Sequence, residues 1–333
     1  MTADEKVIAF HKLGQFLNNM SDDEFQTLAL NVKNENPWFT EQNVRLALNG
    51  ILDFLNEDKL RDWISRYTLP KKNKTIALVM AGNIPAVGFH DLLSVLISGH
   101  RAQLKLSSKD IILIQYIINQ LFKIEPRFQD QIAITDRLKN FDAVIATGSD
   151  NTSRYFEYYF GKYPHIIRKN RTSVAVLDGH ETVEELTALG RDVFNYFGLG
   201  CRNVSKLFVP ADYTFDKLFE SWSSYEPVIH HHKYCNNYDY QKSIQLVNRI
   251  PFLDNGFVMF QENKNLVSPI SVIYYEYYND EDALRSRLSD LSEKIQVRIG
   301  KKPWGTVPFG KGQFPRLSDY ADNVDTMDFL STV

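Results

Sequence analysis

The stretch Thr75-Ile76-Ala77-Leu78-Val79-Met80, running into the turn Ala81-Gly82-Asn83-Ile84-Pro85, decides the fold. A short apolar run with no polar alternation, closed by turn residues, reads as a strand buried on both faces. A helical pattern follows over 86–98, Gly99-His100 stops it, and Ala102-Gln103-Leu104-Lys105-Leu106 reads as the next strand. That order is one βαβ unit, whose two strands run parallel.

The same alternation continues downstream. A helix is expected over about 110–121, an extended segment near 132–134, and a strand at Asp142-Ala143-Val144-Ile145-Ala146-Thr147, ending in Gly148-Ser149. Strands at 166–168 and 173–177 precede a long helix over 181–197 that ends at Gly198. Beyond it lie a strand over 204–210, a helix near 215–223, a polar stretch through Tyr240, strands at 256–260 and 271–277, a helix over 281–295 and a last strand near Val297. Strands alternating with helices predict an α/β protein with parallel sheets covered on both faces. Upstream, apolar residues recur at helical spacing from Val7 to about Tyr67, with Ser21-Asp22-Asp23-Glu24 as a helix start.

Composition sets the class. A chain of 333 residues predicts two domains with substantial cores. Its 44% hydrophobic and 24% charged residues are those of an ordinary globular protein. A net charge of -3 predicts no general affinity for nucleic acid or an acidic membrane surface. No apolar run reaches the length of a membrane span, and Met1-Thr2-Ala3-Asp4-Glu5-Lys6 opens an amphipathic stretch without a signal peptide's apolar core. Two cysteines, Cys201 and Cys235, form no disulfide framework, so a cytoplasmic protein is expected.

The residues with chemical promise sit at strand ends. Phe197-Gly198-Leu199-Gly200-Cys201-Arg202-Asn203 places a thiol beside a cation and near two glycines that open the backbone to a substrate carbonyl. A neighbouring Arg202 favours the thiolate that attacks carbon; the other reading is a small packed residue, the common fate of a free cysteine. Lys105-Leu106-Ser107-Ser108-Lys109 offers two ammonium groups and two hydroxyls to a phosphate, or else a solvated strand end with a helix cap at Ser108. Thr147-Gly148-Ser149-Asp150 suits a pyrophosphate at a helix N-terminus or an ordinary turn. Asn83 is a helix cap or an amide donor to an oxyanion. There is no G-x-G-x-x-G fingerprint after the strand at Thr75.

In this order, these segments resemble the aldehyde dehydrogenase superfamily from about Thr75 to Phe329, and more closely the LuxC-type acyl-CoA reductases. Ala81-Gly82-Asn83-Ile84-Pro85, Leu104-Lys105-Leu106-Ser107-Ser108-Lys109-Asp110, Phe141-Asp142-Ala143-Val144-Ile145-Ala146-Thr147-Gly148-Ser149-Asp150, Pro308-Phe309-Gly310-Lys311-Gly312-Gln313-Phe314-Pro315 and Asp319-Tyr320-Ala321-Asp322-Asn323-Val324-Asp325-Thr326-Met327 carry it. The resemblance implies an aldehyde dehydrogenase-like fold of two α/β domains with parallel-rich sheets and an N-terminal helical arm. It divides the chain into the arm at 1–70, a nicotinamide-cofactor domain at 71–198, a cysteine-bearing domain at 199–300, and a segment at 301–333 that returns to the cofactor domain or forms a dimer interface.

By the same resemblance Cys201 is the nucleophile, Asn83 an oxyanion donor, and Lys105, Ser107, Ser108, Thr147, Gly148 and Ser149 hold the cofactor. Departures give direction to the chemistry. Where aldehyde-oxidising members carry a water-activating glutamate, this chain has Ile166-Ile167-Arg168-Lys169-Asn170-Arg171-Thr172-Ser173, with no carboxylate. The ribose-binding glutamate is likewise absent from Asn265-Leu266-Val267-Ser268-Pro269, and Asp150-Asn151-Thr152-Ser153-Arg154 replaces the small residue expected after the glycine turn. Ser108, rather than an acid, between Lys105 and Lys109 favours NADPH, with NADH the other donor.

The expected activity is therefore NADPH-dependent reduction of an acyl-CoA, a fatty one by the resemblance, to an aldehyde through a Cys201 acyl-enzyme. The competing readings are an NAD(P)-dependent reductase or dehydrogenase of a small aldehyde or acyl phosphate, and a degenerate binding protein, since little chain separates Cys201 from the C-terminal motif. A homodimer is expected by analogy. His230-His231-His232 with Cys235 reads as a polar, aromatic loop at the substrate entrance rather than a metal site, because adjacent side chains on an extended segment point to opposite faces.

Overall fold

The computed structural model describes every residue except Lys71 and Ser149, and of Asp150 the backbone alone. The chain divides into two compact units, residues 1–170 with 315–333, and residues 171–314.

The first unit begins with four helices, α1 (Ala3–Asn18), α2 (Asp22–Glu35), α3 (Glu41–Phe54) and α4 (Glu57–Ser65). Thr2, Ser21, Thr40 and Asn56 cap them in turn, each side-chain oxygen accepting a backbone N–H three residues on. The strands β1 (Thr75–Val79), β2 (Arg101–Lys105), β3 (Ile132–Ile134), β4 (Ala143–Thr147) and β5 (His165–Arg168) form one sheet in the order β3-β2-β1-β4-β5. Every pairing in it is parallel. Helices α5 (Phe89–Ser98), α6 (Ile112–Ile124) and α7 (Asp150–Phe160) connect the strands.

The helical residues 1–70 pack into the core of the first unit. Phe10, Leu13, Val32, Leu60 and Trp63 share one apolar core with Leu92, Leu96, Ile114 and Ile117 of α5 and α6. The C-terminal segment enters the same core through Leu317, Tyr320, Met327 and Leu330. Polar contacts hold it there: Trp63 Nε1 donates to Tyr320 Oη at 2.7 Å, Tyr67 Oη to Asp325 at 2.7 Å, and the buried His90 ring bonds the Leu317 carbonyl at 2.9 Å.

The second unit holds β6 (Thr172–Val176), β7 (Val204–Pro210), β8 (Leu253–Asp254), β9 (Met259–Glu262), β10 (Val272–Tyr278) and β11 (Ile295–Ile299) in the order β11-β6-β7-β10-β9-β8. Only the β8–β9 pair is antiparallel. Its helices are α8 (Val183–Phe194), α9 (Asp216–Ser221), α10 (His232–Val247) and α11 (Glu281–Asp290).

The division differs from the expected boundary at 198. β5 pairs with β4 of the first sheet, whereas β6, only three residues later, inserts between β11 and β7 of the second. Residues 171–198 therefore belong with the cysteine, and 301–314 stay with them while 315–333 return to the first unit. The polar stretch before Tyr240 is also corrected: it contains most of a 16-residue helix, α10. Only Tyr234, Tyr238 and Gln245 are buried on it, and the two tyrosine hydroxyls bond the Phe257 carbonyl and the Asp254 carboxylate.

Candidate functional site

In the first unit, β-register sets the site. Val79 pairs with Lys105 on one side and Ala146 on the other, so β1, β2 and β4 end at one level. Asn83, Lys105, Ser107, Ser108, Thr147 and Gly148 thus gather at the carboxyl edge of one parallel sheet, where open α/β folds bind ligands. Ser149 lies outside the described residues.

Asn83 is exposed, and α5 begins only at Phe89 with Gly88 before it, so Asn83 does not cap that helix. The intervening turn is held from a distance. Ala86 has a left-handed φ of 54°, and its N–H donates to Asp110 Oδ2 at 2.8 Å. Burial pushes the Asp110 carboxyl up to about 7, with Glu35 adding repulsion and the Ala86 N–H opposing it, and Oδ1 has no partner among the described residues.

Ser108 is not a helix cap either. The N–H groups of Ile111, just before α6, and of Ile112, its first residue, donate to the Glu35 carboxylate of α2 at 3.0 and 3.1 Å. That leaves Lys105, Ser108 and Lys109 exposed at the end of β2. Beside them, a Cβ at Gly82 would stand 2.4 Å from Ser107 Oγ, so glycine is what lets the two turns nest. Two ammonium groups and two hydroxyls at a sheet edge fit the phosphates of a dinucleotide by the chemistry of their donors. Gly148 has a packing role, since a Cβ there would meet the Phe156 ring at 2.8 Å and Thr152 Cβ at 3.0 Å. α7 begins two residues later, at Asp150.

Arg168, at the end of β5, is buried and ion-paired to Asp91 of α5, and its second nitrogen donates to Thr326 Oγ1 at 2.9 Å. The stretch 166–173 thus holds a cation with a structural partner and no carboxylate.

In the second unit, α8 ends in an unusual turn. Tyr196, Phe197 and Gly198 take φ values of 54°, 56° and 77° in succession. Left-handed backbone costs bulky residues about 1 kcal/mol or more each, so surrounding contacts must impose it. Asn203, buried to 1% exposure, supplies several: its Nδ2 donates to the Asp192, Val193 and Asn195 carbonyls at 3.0, 3.3 and 2.8 Å. Its Oδ1 accepts the Gly200 N–H at 2.8 Å. Ser173 Oγ donates to the Cys201 carbonyl at 3.0 Å. Cys201 itself stays partly exposed on a loop anchored before and after it.

The Arg202 Nε donates to the Gly312 carbonyl, which ties the cysteine loop to the motif at 308–315. Asp192 completes that tie by accepting the Gly310 and Gly312 N–H groups at 2.6 and 2.7 Å. Neither Asn203 nor Asp192 was among the residues expected from sequence. Asn203 stands in the quoted loop, but the three carbonyls it serves lie 8 to 11 residues upstream.

Asn265 stands in a loop without a carboxylate. The backbone carbonyls of Asn263 and Asn265 face the buried Lys206 Nζ at 2.6 and 3.3 Å, and that ammonium also pairs with Glu276 at 2.6 Å. Burial pulls Lys206 below its ordinary pKa, and the pairing with Glu276 opposes it. His231 and His232 stack on each other at the start of α10, His231 against Phe197 at 4.3 Å between ring centres. Among the described residues no three His, Cys, Asp or Glu side chains converge as for a metal ion.

Comparison with solved structures places this architecture. Aldehyde dehydrogenase 21 from Physcomitrella patens, solved with the product succinate, superposes with a TM-score of 0.70 at 12% identity, covering 99% of this chain and 85% of that one. An NADP-dependent enzyme of E. coli gives 0.65 at 11%, covering 90% and 73%. The NAD+ complex of an aldehyde dehydrogenase from Bacillus cereus gives 0.63 at 12%, covering 92% and 72%. No curated protein matches in sequence. A sequence profile described as acyl-CoA reductase (LuxC) matches residues 17–218, more than half of the chain. With an aldehyde dehydrogenase fold under that match, the chain belongs to the LuxC acyl-CoA reductase family.

Proposed function

We propose that the protein reduces a fatty acyl-CoA thioester to an aldehyde with NADPH, through an acyl group carried on Cys201. The observation that supports this direction most is the stretch 166–173: it holds no carboxylate, and its Arg168 is buried against Asp91. An acyl-enzyme without a water-activating base survives hydrolysis long enough to be reduced.

In this reading the Cys201 thiolate attacks the thioester carbonyl. The Cys201 N–H meets the oxyanion, the Asn83 amide is the second donor that the resemblance implies, and collapse expels CoA as its thiolate. NADPH, when bound, supplies the hydride. Lys105, Ser108 and Lys109 would hold its phosphates by charge and hydrogen bonds, with Ser107, Thr147 and Gly148 at the same sheet edge and Ser149 assigned to the site by sequence alone. Addition to the acyl carbonyl yields a thiohemiacetal on Cys201, which releases the aldehyde and returns the thiolate. One thioester, one NADPH and one proton give one aldehyde, one CoA thiol and NADP+.

Mixing the protein with a long-chain acyl-CoA and NADPH should consume NADPH and release thiol in equal amounts, and Cys201→Ala should do neither. Preference for an acyl phosphate or a free aldehyde in parallel reactions would replace the thioester assignment. Full activity in Cys201→Ala would remove the mechanism.

A further inference from the structure

Asp192 is a buried carboxylate that the reaction scheme does not use. It lies on α8, four residues before the left-handed turn begins at Tyr196, and is 0% exposed. Both of its oxygens are committed to one motif, Oδ2 to the Gly310 N–H at 2.6 Å and Oδ1 to the Gly312 N–H at 2.7 Å. The motif is shaped for this. A Cβ at Gly312 would stand 2.8 Å from Asp192 Oδ1 and 3.3 Å from the Arg202 carbonyl, and one at Gly310 2.7 Å from Arg191 Nη2.

The other side of the motif grips the cysteine loop. The Gly312 carbonyl accepts from Arg202 Nε, next to Cys201, while the Asp192 backbone carbonyl accepts from Asn203 Nδ2 at 3.0 Å. Asp192, Gly312, Arg202 and Asn203 thus close a ring of contacts that includes both residues following Cys201.

We propose that Asp192 is a positioning residue for Cys201: by holding Gly310 and Gly312 it fixes, through Gly312 and Arg202, where the thiol points. This rests on the reading of Cys201 as the nucleophile. A carboxylate accepts two N–H groups at once, whereas a carboxamide presents its NH2 to one of them and loses that bond. Burial raises the Asp192 carboxyl to about 6, with the two glycine N–H groups and the charges of Arg191 and Arg202 opposing the rise. Tyr225 also lies within electrostatic reach.

The test uses the full chain with Cys235→Ser, so that Cys201 is the single thiol, and measures iodoacetamide alkylation by intact mass from pH 5.5 to 9. Asp192→Asn should lower the plateau alkylation rate and kcat by roughly 10- to 100-fold, the scale set by a displacement near 1 Å, with little change in KM for acyl-CoA. Gly312→Ala, which presses on the same oxygen from the other side, should do the same. Unchanged alkylation rates and profiles in both variants would overturn the proposal, leaving Asp192 a stabilising contact only. Alkylation needs no substrate, so a wrong acyl-CoA assignment would silence turnover in the parent without touching this result.

Discussion

Asp110 reaches back 24 residues to accept the Ala86 N–H, and so fixes the turn that carries Asn83. The bond is made in a buried site, where the carboxyl titrates near 7 instead of near 3.8. A group whose folded pKa lies above its unfolded one binds more protons when folded, so its contribution is complete below pH 3.8 and is lost as pH rises through about 7. Asp110→Asn keeps an acceptor for Ala86 but carries no charge. Melting curves at pH 5 and pH 8 should therefore show a smaller loss of Tm on the alkaline side in the variant, by several degrees. Parallel losses in the two proteins would contradict the assignment.

His100 should act with the opposite sign. It is fully buried, its Nδ1 accepts the Lys74 N–H at 3.0 Å, and its Nε2 therefore donates to the Leu330 carbonyl at 2.8 Å. Burial holds its pKa below the ordinary 6.5, with the charges of Lys6 and Lys74 adding to the fall and the Leu330 carbonyl and Asp142 opposing it. Stability from this residue is complete above pH 6.5 and falls with pH toward the lowered folded value. Proteolysis within 326–333 should accelerate between pH 7 and 5.5 in the parent, and the acceleration should vanish in His100→Asn. Equal acceleration in both would rule out His100 as its origin.

Asn203→Ala would remove the donor to three carbonyls and the acceptor of the Gly200 N–H. Leaving buried backbone groups unsatisfied costs on the order of 3 kcal/mol, which urea unfolding would register as a lower midpoint at unchanged slope. The same variant should alkylate at Cys201 with an altered rate below its transition. Wild-type stability would mean that the loop is held by other contacts.

Cofactor preference is open to a single change. Ser108 is exposed at the end of β2 beside Lys109, and Ser108→Glu would set a carboxylate where a 2'-phosphate is expected. The ratio of kcat/KM for NADPH to that for NADH should fall by about tenfold or more, a loss of ~1.4 kcal/mol. An unchanged ratio would place the 2'-phosphate elsewhere.

The first βαβ unit was legible because 75–80 is an unbroken apolar run closed by Gly82 and Pro85, and the sheet follows from it. Helix α10 was not legible: its few buried side chains are tyrosines and a glutamine on a polar sequence, so no apolar stripe announces it. The unit boundary escaped because β5 and β6 read alike as short strands, and only their pairing sends them to different sheets. Cys201, Asn83 and the Lys105 strand end stand out by residue type. Glu35, Asp110 and Asp192 act across 24 to 120 residues of chain, and no local pattern marks such contacts.

The most direct measurement is the intact mass of the full chain after incubation with a long-chain acyl-CoA in the absence of NADPH. The account predicts a gain of one acyl group, mapped to Cys201, present in Cys235→Ser, absent in Cys201→Ala and discharged when NADPH is added. No adduct on the parent protein, or an adduct that persists in Cys201→Ala, would contradict it.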